Sequence, residues 1–266
     1  MITPAHIGLI AFFPMLLGCQ HQGDASSQPG AVDFATQGGP GSSSTSRAKD
    51  SVVPRVLTRV PTPDTLRGLY VNRWAALGRK LTDLIGVAKR TEINALVIDV
   101  KDDRGFVLYR SSVPLAREIG ADTADGHWMS STKLRAVLDT MAAHKIYPIA
   151  RIVVAKDPLL AEKKLDLAIK RKSDLKPWLD KNGHPWLDPH QRAVWQYAVD
   201  LAREAHELGF SEVQFDYVRF PDEKRLVREA SFPLAAGRLR ADVIRQQLAD
   251  ARKRLAPLGV PMTIDV

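Results

Sequence analysis

The feature that most constrains the fold is an alternation of short apolar runs with longer amphipathic stretches from residue 66 onward. The apolar runs are strand-like and follow one another along the chain: Leu69–Val71, Ala95–Val100, Pro148–Val154, Val213–Phe220 and Pro261–Val266. Helix-like stretches lie between them: Leu77–Lys89, Thr132–His144, Pro189–Leu208 and Leu239–Leu255. Nearly continuous apolar strands joined by helices predict parallel β-structure that is buried on both faces.

Two α/β architectures fit this alternation: a (β/α) TIM barrel and an open doubly wound sheet. The doubly wound fold ordinarily carries a glycine-rich phosphate turn after its first strand, but YVNRW occupies residues 70–74 here. We therefore predict an α/β TIM barrel over residues 66–266. At the observed spacing the chain holds about five of the eight strands of such a barrel. We expect the barrel to be incomplete and its final strand to be unpaired.

The first 65 residues differ from the rest in composition. Ile7–Leu17 is an apolar run that is too short to span a bilayer and resembles the apolar region of a secretory signal. The sequence LLGC that ends at Cys19 resembles a bacterial lipobox, although Lys and Arg are absent before it. We predict a signal peptide over residues 1–18, a lipid on Cys19 and a disordered Ser/Gly-rich tether over 19–65. Such a protein would be lipid-anchored in the cell envelope, at the outer membrane or periplasmic face; a buried free cysteine is the alternative.

The charge balance bears on the choice of partner. The chain has 38 Lys and Arg against 30 Asp and Glu, a net charge of +8. A nucleic-acid partner would call for a compact basic stripe with interleaved aromatic residues. The basic residues of Lys163–Lys176 and Arg238–Arg254 are instead mixed with acids. We predict no nucleic-acid partner, and a basic face that is solvated or attracted to anionic envelope polymers. The single cysteine excludes an internal disulfide framework.

Two lone aspartates in apolar strands are the candidate catalytic residues. Asp216 lies between Phe215 and Tyr217 near the end of the fourth run, and Asp265 lies in the fifth. A charge within an apolar strand needs a partner or a use, and barrels place their chemistry at the carboxyl ends of strands. Glycoside hydrolysis needs two carboxylates across one cleft. We predict Asp216 as nucleophile or base, and as acid either Asp265 or a residue on barrel strands beyond this chain; the alternative is that each aspartate balances an inward Arg or Lys.

Charged and aromatic residues near the strand ends are candidates for contact with a polysaccharide substrate. They are Asp99, Lys101, Arg151, Tyr217, Arg219, Trp74 and Trp186. Arg151 must pair with a carboxylate inside the barrel, so a structural pair with Asp99 or Asp216 stays open. The tryptophans either stack on sugar rings or anchor long loops. A metal site at Asp99 and its neighbours has no further ligands at a recognised spacing, so we predict neither metal nor cofactor.

Several of these segments together resemble a known family. The runs RGLYVNRW, TEINALVIDVKDDRGFVLY and ELGFSEVQFDYVRFP are similar to a bacterial family of proposed glycoside hydrolases of largely unassigned function. The resemblance covers about residues 67–266 and implies a TIM barrel related to the alpha-amylase-like glycosidases. It places Asp216 at the expected nucleophile position and Asp265 at the next acidic one. Because the family continues with further strands, we expect this chain to be truncated at its C-terminus.

The resulting functional prediction is hydrolysis of an envelope or extracellular polysaccharide. The alternative is a non-catalytic saccharide-binding lipoprotein that uses the same cleft. Nothing in the sequence favours one oligomeric state over another.

Overall fold

The computed structural model describes residues 57–123 and 125–265. The predicted signal peptide, Cys19 and most of the predicted tether lie outside the described residues. Residues 57–65, which the sequence assigned to the tether, contact the folded part. Arg59 donates hydrogen bonds to the carbonyl oxygens of His206 and Phe210 at 3.0 and 2.8 Å. Among the described residues, no helix combines the length and the apolar character needed to cross a membrane.

The elements alternate as the sequence predicts. The strands are β1 Gly68–Val71, β2 Ala95–Lys101, β3 Tyr147–Val153, β4 Lys170–Arg171, β5 Glu212–Asp216, β6 Ala230–Ser231 and β7 Met262–Ile264. The helices are α1 Arg73–Leu77, α2 Lys80–Ala88, α3 Pro114–Ile119, α4 Ser131–Ala143, α5 Pro158–Lys163, α6 Arg192–Leu208 and α7 Arg240–Leu255. The short helices α1, α3 and α5 were not predicted, because five or six residues carry too little periodicity to be recognised.

Five strands form one parallel sheet in the order β1-β2-β3-β5-β7. The parallel, five-stranded arrangement confirms the prediction from the apolar runs. Within the described residues β1 and β7 are the two edges, so the sheet does not close on itself. The last described strand, β7, is paired with β5 along one edge and unpaired along the other, so the expectation of an unpaired final strand holds for one edge only. The two-residue strands β4 and β6 pair antiparallel in a separate ribbon.

The two faces of the sheet are buried in different ways. Alternate residues of β2, such as Leu96 and Ile98, pack under the helices in the main apolar core. The residues that alternate with them, Ala95 and Val97, face inward and pack in a small cluster with Tyr147 and Ile149. This inner cluster fills the part of the interior near the amino ends of the strands. Towards the carboxyl ends the inner face becomes polar, and the candidate site lies there.

A β-bulge near the end of β2 reverses the direction of one predicted site residue. Asp99 pairs with Arg151 in the register, but Lys101 pairs with Ile152, so one extra residue is accommodated between them. Without the bulge, Asp99 and Lys101 would share a face, since side chains alternate along a strand. Lys101 therefore leaves the inner face and is buried on the helix side, with its Nζ 5.8 Å from the ring centre of Tyr197 in α6.

The start of α6 also differs from the prediction. The sequence predicts a helix from Pro189 with Asp188 as its cap, whereas α6 begins at Arg192. Asp188 instead accepts hydrogen bonds from the backbone N–H and the ring Nδ1 of His190, at 3.0 and 2.7 Å. Because this carboxylate is used locally, it cannot satisfy the first N–H groups of the helix.

Candidate active site

Polar side chains meet on the inner face at the carboxyl ends of the strands. In the sheet register Asp99 lies opposite Arg151, Arg151 lies opposite Gln214, and Asp216 ends β5. A cavity of about 420 Å³ opens beside them. Its lining residues are Leu66, Gly68, Tyr70, Val97, Arg151, Gln214, Asp216 and Asp265. These lining residues come from the four parallel strands β1, β2, β3 and β5, from Leu66 before β1 and from Asp265 after β7.

Arg151 joins two aspartates at the centre of this cluster. Its Nη1 lies 2.5 Å from Oδ1 of Asp99, and its Nε donates to Oδ2 of Asp216 at 2.8 Å. Nη2 also contacts Oδ2 of Asp216. Burial opposes the charge on Arg151, but the two carboxylates outweigh burial and raise its pKa above the usual range. The guanidinium is therefore a fixed positive charge between two acids.

Asp99 lies behind the cavity and is 2% exposed. The hydroxyl of Tyr70 donates to its Oδ2 at 2.7 Å, and Arg151 holds the other oxygen. Burial raises the pKa of the Asp99 carboxyl, although Arg151 and Tyr70 act in the opposite direction. Because Asp99 has so little exposed surface, it can position Arg151 and Tyr70 but cannot reach a polymer.

Asp216 presents its carboxylate at the cavity, held by contacts to both oxygens. Its Oδ1 accepts a hydrogen bond from the backbone N–H of Tyr217 at 2.5 Å, and Oδ2 contacts Arg151. Tyr217 has φ +52°, a left-handed conformation that non-glycine residues seldom adopt. This turn aims the N–H of Tyr217 back at Asp216. Such backbone strain is concentrated at functional sites in proteins.

Asp265 lines the same cavity and is exposed. Its backbone N–H donates to the carbonyl oxygen of Phe215 at 2.8 Å, which fixes its position beside β5. Within residues 57–123 and 125–265, its carboxylate forms neither an ion pair nor a hydrogen bond. The structure thus brings the two predicted catalytic aspartates to one cavity.

Three other predicted site residues lie beside the cavity rather than in it: Trp186, Tyr217 and Arg219. Trp186 is 4% exposed, donates its Nε1–H to Asp180 at 3.1 Å, and meets the edge of the Tyr217 ring at 5.6 Å. Arg219 pairs with Asp222 at 2.8 Å and stacks 5.3 Å from the ring centre of Tyr217. Trp186 has the anchoring role that the sequence left open as the alternative to sugar stacking.

Lys101 and Trp74 differ in whether a ligand can reach them. Lys101 is 1% exposed and pairs with Asp157 at 2.7 Å, so no substrate can reach it. Trp74 in α1 follows the end of β1 and is 46% exposed, so its indole can contact a ligand.

Sequence reasoning did not assign a role to Tyr70 or Gln214, which both line the cavity. Tyr70 ends an apolar strand just as Asp99 does, and the same argument about polar groups at strand ends could have found it. Gln214 alternates with Asp216 on one face of β5, which was a usable signal as well.

The aspartates of the β2 loop do not converge on a common point. Asp99 binds Arg151, Asp102 accepts backbone N–H bonds within its own loop, and Asp103 pairs with Lys156 at 2.7 Å. In the part of the chain that the structure describes, no group of three or more His, Cys, Asp or Glu side chains could hold a metal ion.

Several solved protein structures are similar to this chain. A hypothetical protein from Ruminiclostridium thermocellum ATCC 27405 is 39% identical, with a TM-score of 0.66, over 74% of this chain and 97% of its own. A family 20 exo-β-N-acetylglucosaminidase from Vibrio harveyi, solved with N-acetylglucosamine, is 15% identical with a TM-score of 0.57, over 75% of this chain and 35% of its own. An α-L-fucosidase isoenzyme from Paenibacillus thiaminolyticus is 13% identical with a TM-score of 0.53, over 75% and 32%. Among curated proteins no relative matches the sequence.

The glycosidase neighbours share the fold at low identity, and the predicted TIM-barrel class is confirmed with a barrel that is not closed. This chain spans about a third of the length of the two enzymes. The family described as "Putative glycosyl hydrolase domain" matches residues 68–266, which is the whole of the five-stranded sheet. The chain therefore belongs to that glycosyl hydrolase family.

Proposed function

We propose that the protein hydrolyses glycosidic bonds of a polysaccharide, with Asp216 and Asp265 as the reacting carboxyl groups. The observation that carries the proposal is their position on one cavity of about 420 Å³ at the carboxyl ends of parallel strands. Hydrolysis needs one carboxylate and one carboxylic acid on either side of the scissile bond. The guanidinium of Arg151 and the N–H of Tyr217 hold the carboxylate of Asp216 in one orientation at the cavity.

In this scheme Asp216 either attacks the anomeric carbon or accepts a proton from the attacking water. A bond forms from the incoming oxygen to the anomeric carbon, and the bond to the leaving oxygen breaks. Asp265 gives its proton to the leaving oxygen, so charge does not accumulate there. Where the incoming oxygen is that of Asp216, a second step follows: water attacks the anomeric carbon, gives its proton to the now ionised Asp265, and breaks the bond to Asp216. Asp99 takes no part in the bond changes; it holds Arg151 and the hydroxyl of Tyr70 in place.

One observation favours the non-catalytic alternative, a saccharide-binding protein. Both oxygens of Asp216 are already engaged, one by Arg151 and the other by Tyr217. A carboxylate held in this way could accept hydrogen bonds from sugar hydroxyls without reacting. The two functions share the cavity and differ in turnover alone.

The deciding experiment measures hydrolysis of a glycan panel by the chain and by Asp216→Asn. General acid–base groups contribute about 100-fold to 10,000-fold, and a loss of that size is expected. Asp242→Asn, an exposed aspartate of α7, is the matched control and should keep full activity. Binding without turnover by the unmodified chain on every glycan would favour the alternative. Equal activity of Asp216→Asn and the unmodified chain would contradict the assignment of Asp216.

Asp265→Asn separates the acid role from a purely structural one. A leaving group of low pKa departs without protonation, so the loss should be small for an activated aryl glycoside and large for an alkyl glycoside. An equal loss on both substrates would contradict the acid role.

We further propose attachment to the cell envelope through Cys19, which rests on the LLGC sequence alone. Cys19→Ser should move the protein from the membrane fraction to the soluble fraction. A membrane-bound Cys19→Ser protein would contradict the anchor.

A further inference from the structure

Next to the candidate active site, Arg104 packs against two aromatic rings and has no counter-ion among the described residues. Arg104 is exposed, and its guanidinium carbon lies 5.1 Å from the ring centre of Phe106 and 5.6 Å from that of Trp74. Within residues 57–123 and 125–265, no carboxylate pairs with it. Stacking on rings uses the faces of a guanidinium, whereas its N–H donors lie in the plane and stay available.

The same two rings carry a second guanidinium, and the comparison shows what Arg104 lacks. Arg73 is 1% exposed and lies 5.4 and 5.5 Å from the Phe106 and Trp74 ring centres. Its Nη1 and Nη2 contact the two carboxylate oxygens of Asp125 at 2.6 and 3.0 Å, and its Nε donates to a backbone carbonyl. Arg73 is therefore a satisfied structural residue, whereas Arg104 presents a fork of unused donors.

The loop that carries Arg104 is held in one conformation. Oδ1 of Asp102 accepts hydrogen bonds from the backbone N–H groups of Arg104 and Phe106, at 3.0 and 2.9 Å. Gly105 has φ +93°, and a Cβ there would lie 2.1 Å from Oδ1 of the fully buried Asp157. The backbone N–H of Gly105 also donates to the carbonyl oxygen of Asp102 at 3.2 Å, so three consecutive N–H groups bond to Asp102 and the arginine is presented with a small entropic cost on binding.

This loop is continuous with the proposed catalytic cavity. Asp103, next to Arg104, pairs with Lys156, whose Nζ lies 5.2 Å from the ring centre of Tyr217. On the other side, α1, which carries Trp74, follows β1 directly, and Tyr70 of β1 donates a hydrogen bond to Asp99 behind the cavity. A polymer that lies across the carboxyl ends of β1 and β2 would therefore meet Arg104 at a distance from the scissile bond.

We propose that Arg104 binds the carboxylate of an acidic sugar unit, so that the substrate is a uronic-acid-containing polysaccharide. This inference rests on the proposed function for the position of the polymer. A planar guanidinium fork matches a carboxylate with two parallel hydrogen bonds, which makes arginine specific for this group. The net charge of +8 attracts an acidic polymer to the protein as well.

The test is calorimetric binding of an oligogalacturonate, with a neutral oligosaccharide and a sulfated oligosaccharide of equal length as comparisons. The chain should bind the oligogalacturonate best, and binding should weaken with added salt. Arg104→Gln should weaken it about tenfold, in line with the loss of a charge-assisted bidentate contact. Arg104→Lys should recover only part of the loss, because lysine lacks the fork. Arg252→Gln removes an equal charge from an exposed position on α7 and should have no effect.

Several outcomes overturn the inference. These are equal binding by Arg104→Gln and the unmodified chain, equal binding of neutral and acidic oligosaccharides, or preference for the sulfated one. None of these outcomes would contradict the proposal that Asp216 and Asp265 hydrolyse glycans. Conversely, the chain could bind the oligogalacturonate through Arg104 and yet hydrolyse no glycan. That result would refute the proposed function and support the binding site.

Discussion

Two Lys–Asp pairs with the same separation but different burial allow a sharp test of what stabilises the β2 end of the sheet. Lys101 and Asp157 are 2.7 Å apart, with side chains 1% and 0% exposed. Lys156 and Asp103 are also 2.7 Å apart, but their side chains are 14% and 43% exposed. The two ion-pair distances are matched, so the pairs differ in burial and in the additional hydrogen bond from Lys101 to the carbonyl oxygen of Val153.

Replacing Lys101 by Met keeps most of the apolar stem and removes the ammonium. The carboxylate of Asp157 then stays buried without a counter-charge, and the carbonyl of Val153 loses the donor that lies 2.7 Å away. Breaking a buried pair from one side costs about 3–5 kcal/mol. For a domain of this size each kcal/mol lowers Tm by about 2–4 °C, so a fall of about 6–20 °C is expected. Lys156→Met should cost less than about 1 kcal/mol, because water solvates Asp103.

Urea unfolding followed by circular dichroism gives the free energy of unfolding for each variant. Asp157→Asn and the double variant complete a double-mutant cycle, in which the double variant should cost less than the sum of the two single changes. Additive costs would refute the reasoning. So would a loss for Lys101→Met that is no larger than the loss for Lys156→Met.

Two further changes probe the backbone and the pH response. Gly105→Ala should destabilise the fold far more than Gly183→Ala. Both glycines have positive φ (+93° and +79°), but only at Gly105 would a Cβ lie 2.1 Å from another atom. Equal Tm values for the two variants would contradict the close contact. His206→Leu should flatten the fall in unfolding free energy between pH 7 and pH 5. Burial and the nearby Arg59 lower the pKa of His206 below 6.5, so the unfolded chain takes up a proton that the folded chain refuses. Stability from this group is therefore present above pH 6.5 and lost as the pH falls, and an unchanged slope would contradict the assignment.

The sheet could be predicted from the sequence because its signal is local. Each apolar run and each amphipathic stretch has a period that reflects its own secondary structure, and alternation of the two implies parallel strands. The same logic found Asp216 and Arg151, because a charge inside an apolar strand needs a partner. The structure supplies two partners for Arg151, Asp99 and Asp216, where the sequence left the choice between them open.

Other features of the site depend on contacts between distant segments, and only the tertiary structure decides them. The bulge in β2 turns Lys101 to the helix side, because the register with β3 shifts by one residue and every side chain after the shift changes face. Trp186 is buried and Trp74 is exposed, although both lie outside the strands, because exposure depends on how loops from different parts of the chain pack. Arg104 adjoins Asp102 and Asp103 in sequence and looks like part of a solvated turn. Its contact with two aromatic rings, on which the proposed binding role depends, arises only because α1 brings Trp74 beside Phe106. The sequence by itself determined the sheet and the acids on its inner face; packing decided which charged side chains were left without a partner.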